Sequence, residues 1–141
     1  MDPIVPIVSI VPIVLLIPNS SFLIPTMYYV SKTIEVSFAH KLNLSYESRC
    51  TNLHGHNARI TVYCRAAELN DSGMVIDYSD LKRIVTDLLD HKYVNDLVSF
   101  NPTSENLARW ICEAVPNCYK VRFQESEDNV AVYALDDDST L

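Results

Sequence analysis

His54-Gly55-His56 places two imidazoles two residues apart. In an extended chain, residues i and i+2 point to the same side, so both rings face one way. A third imidazole, His40, ends an upstream run in which Ile34, Val36 and Phe38 share its parity. If that run pairs with the one starting at His54, through the polar stretch 41–53, the end of one strand meets the start of the next. Three neutral ring nitrogens then converge at one corner of a sheet. Three imidazoles with one open position suit a catalytic zinc, whereas a structural site is closed by a fourth side chain. Cys50 is near enough in sequence to be that fourth ligand. It also reads as an ordinary loop thiol, or as a thiolate base, because a nearby cation lowers a thiol's pKa. Asp90-His91 closes a helical pattern, where the helix dipole and the carboxylate both favour a charged imidazole. Glu125 falls on a strand among Phe123, Gln124 and Ser126, where a glutamate is ordinarily just solvated.

The elements that must hold these groups follow from periodicity. Alternation from Tyr28 to His40 predicts a half-buried strand, and a second runs from His54 to Ala66 with Ile60, Val62 and Cys64 on one side. Asn70-Asp71-Ser72-Gly73 is a turn. Asp77 caps a helix whose apolar stripe is Leu81, Ile84, Val85 and Leu88. Pro102 precedes a second helix, capped by Thr103 or Ser104, with Leu107, Trp110, Ile111 and Ala114 inward and Pro116 at its end. Strands at Tyr119–Glu125 and Val130–Leu135 complete a ββααββ order, and Asp136-Asp137-Asp138 reads as a solvated tail. This predicts an α+β domain: a four-stranded antiparallel sheet with two helices on one face.

Composition sets the outer limits. The chain has 141 residues, enough for one domain, and is 48% hydrophobic, enough for a core. A net charge of -7 argues against a nucleic-acid partner. The only glycines are Gly55 and Gly73, which excludes phosphate-binding glycine loops. Four cysteines without a C-x-x-C pair read as reduced thiols in a cytoplasmic protein. Residues 1–26 differ from the rest: one charge, Asp2, and prolines at 3, 6, 12, 18 and 25. The prolines oppose a membrane helix, and the acidic start opposes a signal peptide. The expectation is an apolar extension outside the core, no membrane partner, and a single domain over 27–141.

Six stretches, taken in order, resemble the 6-pyruvoyltetrahydropterin synthase / 6-carboxytetrahydropterin synthase family. They are Phe38-Ala39-His40, Cys50 to Asn57, Gly73 to Tyr78, Leu89-Asp90-His91-Lys92, Asn101 to Asn106, and Gln124-Glu125-Ser126. The resemblance implies the tunnelling (T-) fold, with subunits closing a barrel and active sites at subunit interfaces. It implies a homo-oligomer built on trimers, up to a hexamer. It implies one zinc per subunit, held by His40, His54 and His56. Cys50 would be the proton acceptor, Asp90 and His91 its relay partner, and Glu125 the anchor of the pterin ring and part of the proton network. Thr103 and Ser104 match positions that help hold the pterin.

Three residues separate Cys50 from His-Gly-His, a spacing that resembles the bacterial 6-carboxytetrahydropterin synthases of queuosine biosynthesis. That resemblance implies a lyase that turns 7,8-dihydroneopterin triphosphate into 6-carboxy-5,6,7,8-tetrahydropterin, releasing acetaldehyde and triphosphate. Lys41, Arg49 and Lys92 are the cations nearest the motifs for the triphosphate. The alternatives are 6-pyruvoyltetrahydropterin synthesis, a folate-pathway side-chain cleavage, and a zinc-stabilised oligomeric module without activity. Glu47 is the nearest loop acid for the folate-type chemistry.

Overall fold

The computed structural model describes residues 26–137. The proline-rich stretch up to residue 25, and Asp138, lie outside the described residues. Strand β1 (Tyr28–His40) pairs antiparallel with β2 (His54–Ala66) along its full length, from Tyr28↔Ala66 to His40↔His54. Its alternation places Ile34, Val36, Phe38 and His40 on one face, opposite Ala58, Ile60, Val62 and Cys64, and all of these are buried. Helix α1 (Tyr78–Leu89) is capped by Asp77, whose carboxylate accepts the Ser79 N–H. It buries Leu81, Val85 and Leu89, with Ile84 and Leu88 partly buried beside them. Helix α2 (Ser104–Ala114) starts at the Thr103 cap and buries Leu107, Ala108, Ile111 and Cys112. Trp110 is only partly buried and meets Phe100 edge-on.

Strand β3 (Lys92–Tyr93) is a fifth strand that the periodicity does not predict, and it runs parallel to β1. Two residues are too few to display a period of two. His91, at φ 56, turns the chain into β3. Strands β4 (Cys118–Gln124) and β5 (Val130–Ala134) complete a sheet of order β3-β1-β2-β4-β5. The sheet is therefore mixed and five-stranded, not four-stranded and antiparallel, while the α+β class and the two-helix layer hold. Asp136 is not simply solvated: it pairs with Arg65. Glu125 lies one residue beyond β4, in the turn to β5, where its N–H donates to the Asn129 carbonyl. It keeps the parity of buried Phe123, and so its carboxylate turns toward the histidines.

Candidate active site

The β1–β2 register builds the centre of the site. His40 and His54 are directly paired, and His56 pairs with Phe38. Their ligand atoms lie within 4.8 Å of one another, the only such group of three among the described residues. Gly55 between them is required by close approach rather than by φ. A β-carbon there would sit 3.0 Å from the Phe38 carbonyl oxygen.

The hydrogen bonds fix the tautomers. His40 Nδ1 lies 2.9 Å from the Pro102 carbonyl, and His54 Nδ1 lies 2.8 Å from the Asn52 carbonyl. Carbonyls only accept, so both Nδ1 atoms carry the proton. Both neutral rings then present a bare Nε2, and these two lone pairs face each other at 3.1 Å. His56 Nε2 is buried with no hydrogen-bond partner among the described residues. Burial holds the pKa values of His40 and His56 below the ordinary imidazole range; the Pro102 carbonyl, for His40, and Glu125, for both, oppose the shift, and the neighbouring imidazoles reinforce it. Protonation is thus a poor remedy for opposed lone pairs, and a metal cation is a good one. A tetrahedral zinc at its usual distance from nitrogen spaces its ligand atoms about 3.3 Å apart. The donor set fits the metal that the resemblance implies.

Around this centre, Glu125 Oε1 lies 3.7 Å from both His40 Nε2 and His56 Nε2 and accepts the Ser104 hydroxyl at 3.1 Å. Glu125, Thr103 and Ser104 line a cleft of about 470 Å³ together with Leu44, Tyr46 and Asn129. Thr103 also caps α2, accepting the Asn106 N–H. Tyr46 and Asn129 have no periodic or motif signal in the sequence; only the folded loops bring them to the cleft.

Cys50 sits on a single 3-10 turn, Arg49–Thr51, capped by Ser48. It is half-buried, and its thiol is not part of the ligand group. Its carbonyl accepts the N–H of Leu42, a residue that also lines the cleft. Asp90 and His91 lie elsewhere, at the β1 edge. Asp90 Oδ1 accepts the Ser37 N–H at 2.9 Å, and Oδ2 lies 3.0 Å from His91 Nδ1. Among the described residues, no hydrogen bond or ion pair joins this dyad to the three histidines or to Cys50. Lys92, one of the three cations noted near the motifs, donates its ammonium to the Asp87 carbonyl.

A family model described as 6-pyruvoyl tetrahydropterin synthase matches residues 29–136. The 6-carboxy-5,6,7,8-tetrahydropterin synthase of Bacillus subtilis is 28% identical, over 77% of this chain and 86% of that protein. The 6-pyruvoyl tetrahydrobiopterin synthase of Pongo abelii is 31% identical, over 74% of this chain and 89% of that protein. The solved 6-pyruvoyl tetrahydropterin synthase of Caenorhabditis elegans superposes with a TM-score of 0.62 at 28% identity, over 77% of this chain and 96% of that one. With the family match spanning both helices and all but the first residue of the sheet, the chain belongs to the 6-pyruvoyl tetrahydropterin synthase family of enzymes.

Proposed function

We propose that the protein is a zinc-dependent 6-carboxytetrahydropterin synthase acting on 7,8-dihydroneopterin triphosphate. The observation that carries this reading is the set of three converging imidazoles beside a carboxylate-lined cleft. His40, His54 and His56 are the proposed zinc ligands. Bound there, zinc supplies Lewis acidity for the substrate's side-chain oxygens. Glu125, steadied by Ser104, offers a two-oxygen acceptor for the N–H edge of a pterin ring. Cys50 is proposed to take a side-chain proton as thiolate, and His91, oriented by Asp90, to return one. Triphosphate leaves by elimination; a water molecule then adds its oxygen to the side-chain carbon on the ring, the bond beyond that carbon breaks to release acetaldehyde, and the carboxylate remains on the ring.

The carboxy product is favoured by the three-residue spacing between Cys50 and His54, and the proposed pathway is queuosine biosynthesis. An inert zinc module is disfavoured, because the Cys50 thiol stands outside the ligand group. The working unit is proposed to be 27–141, which contains the family match. Subunits are proposed to assemble on trimers, as the family resemblance implies. The test is product analysis with dihydroneopterin triphosphate and zinc-loaded protein. The expected products are 6-carboxytetrahydropterin and acetaldehyde; 6-pyruvoyltetrahydropterin without acetaldehyde would overturn the product assignment.

A further inference from the structure

The chain after His40 belongs to no strand. Two asparagine side chains take the place of a strand partner. Asn95 accepts the Lys41 N–H through Oδ1 and donates Nδ2–H to the Lys41 carbonyl, both at 2.9 Å. Asn101 does the same for Asn43, at 2.8 and 3.0 Å. A carboxamide carries the same acceptor and donor as a peptide group, so each side chain closes a two-bond ring as a neighbouring strand would. Residues 41 and 43 thus bond on one edge of the segment. Leu42, between them, presents its N–H to the other edge, where it holds the Cys50 carbonyl at 2.8 Å.

Both asparagines are themselves anchored. Asn95 follows Val94, which is fully buried. The Asn101 carbonyl accepts from the Thr103 N–H and the Asn106 side chain at the start of α2. The Cys50 turn is otherwise held by local bonds to Ser48.

We infer that Asn95 and Asn101 are positioning residues for Cys50, fixing its turn through the backbone of Lys41, Leu42 and Asn43. The inference rests on the reading of Cys50 as the proton acceptor. Full-length, zinc-loaded Asn95→Ala and Asn101→Ala are compared with wild type for metal content, kcat, KM and the rate of Cys50 alkylation by iodoacetamide, located by peptide mapping. The expected result is unchanged zinc, KM within about 2-fold, kcat lower by about 10- to 100-fold, as a misplacement of about 1 Å produces, and an altered Cys50 alkylation rate. Asn95→Asp and Asn101→Asp keep the shape and the acceptor but lose the donor, and serve if an alanine variant does not fold.

Each asparagine change is then repeated in Cys50→Ala. If the asparagines act through Cys50, the double variant is no slower than Cys50→Ala alone. Losses that multiply, or an unchanged kcat and alkylation rate in the single variants, would overturn the inference. Wild-type turnover in Cys50→Ala would instead refute the reading of Cys50, and the alkylation rates would still report whether the asparagines place its turn.

Discussion

The Nε2 atoms of His40 and His54 face one another across 3.1 Å, while the Nδ1 atoms of the same rings are committed to the carbonyls of Pro102 and Asn52. Neither ring can rotate to relieve the opposition without losing a hydrogen bond, and His40 is fully buried. This arrangement could hold a cation.

His54→Ala leaves two imidazoles, which hold zinc far more weakly than three. The expected outcome is loss of bound zinc and of turnover together, with the helical circular-dichroism signal retained. Full zinc occupancy by metal analysis would show that His54 is not a ligand.

Gly55→Ala touches no proposed ligand directly. Its methyl group would press on the Phe38 carbonyl at 3.0 Å, and backbone there moves only with the β1–β2 pairing that sets both flanking rings. Zinc affinity is expected to fall about 10- to 100-fold, the range for groups that orient ligands. Competition with a coloured chelator measures it, and unchanged affinity would mean that the strands yield without moving the imidazoles.

Cys50→Ala is expected to keep zinc and pterin binding and to lose about 10²–10⁴ in turnover, the usual worth of a positioned acid or base. Zinc content and kcat measured on one preparation decide the matter. Loss of zinc in step with activity would mark Cys50 as a ligand.

Asp90 ties its carboxylate to the Ser37 N–H, the largest cause of a pKa below the ordinary 3.8; partial burial opposes the shift, and His91 reinforces it. A depressed carboxylate contributes stability that is complete above its unfolded pKa and is lost as pH falls through the folded one. Wild type should therefore exceed Asp90→Asn in denaturation midpoint by a constant margin above about pH 4, and the margin should shrink below it. A margin independent of pH would mean that the charge of Asp90 is immaterial to the fold.

Because no hydrogen bond or ion pair joins the dyad to Cys50 or the histidines among the described residues, the proposed assembly predicts complementation. Cys50→Ala and His91→Ala subunits, refolded together, should form mixed oligomers more active than either variant alone. Mixed oligomers as inactive as their parents would argue for sites complete within one chain.

The β1–β2 hairpin is legible in the sequence to the residue, because thirteen-residue strands with one buried face display their period openly. The histidine cluster follows from that register. Helix α2 is legible at its Thr103 cap, although Ala108 and Cys112 pack inward with Leu107 and Ile111. Strand β3 is too short to carry a pattern. The bond from Ser37 to Asp90 spans 53 positions and leaves no local trace. Asn95 and Asn101 resemble loop residues in sequence, since nothing local distinguishes an asparagine that ends a chain segment from one that stands in for a strand. Glu125 reads as a solvated strand residue until the turn beyond β4 is seen to aim it inward.

The hairpin also sets an order of assembly. His40 and His54 are 14 positions apart and meet at the loop end of the hairpin, where chain closure is least costly. The Pro102 carbonyl reaches His40 across 62 positions. Closing a short loop costs less chain entropy than closing a long one, so the imidazoles are expected to meet before Pro102 and the helices reach them. A metal ion met during folding would find its ligands on a nascent hairpin, and the helices and the remaining strands would close over a centre already loaded.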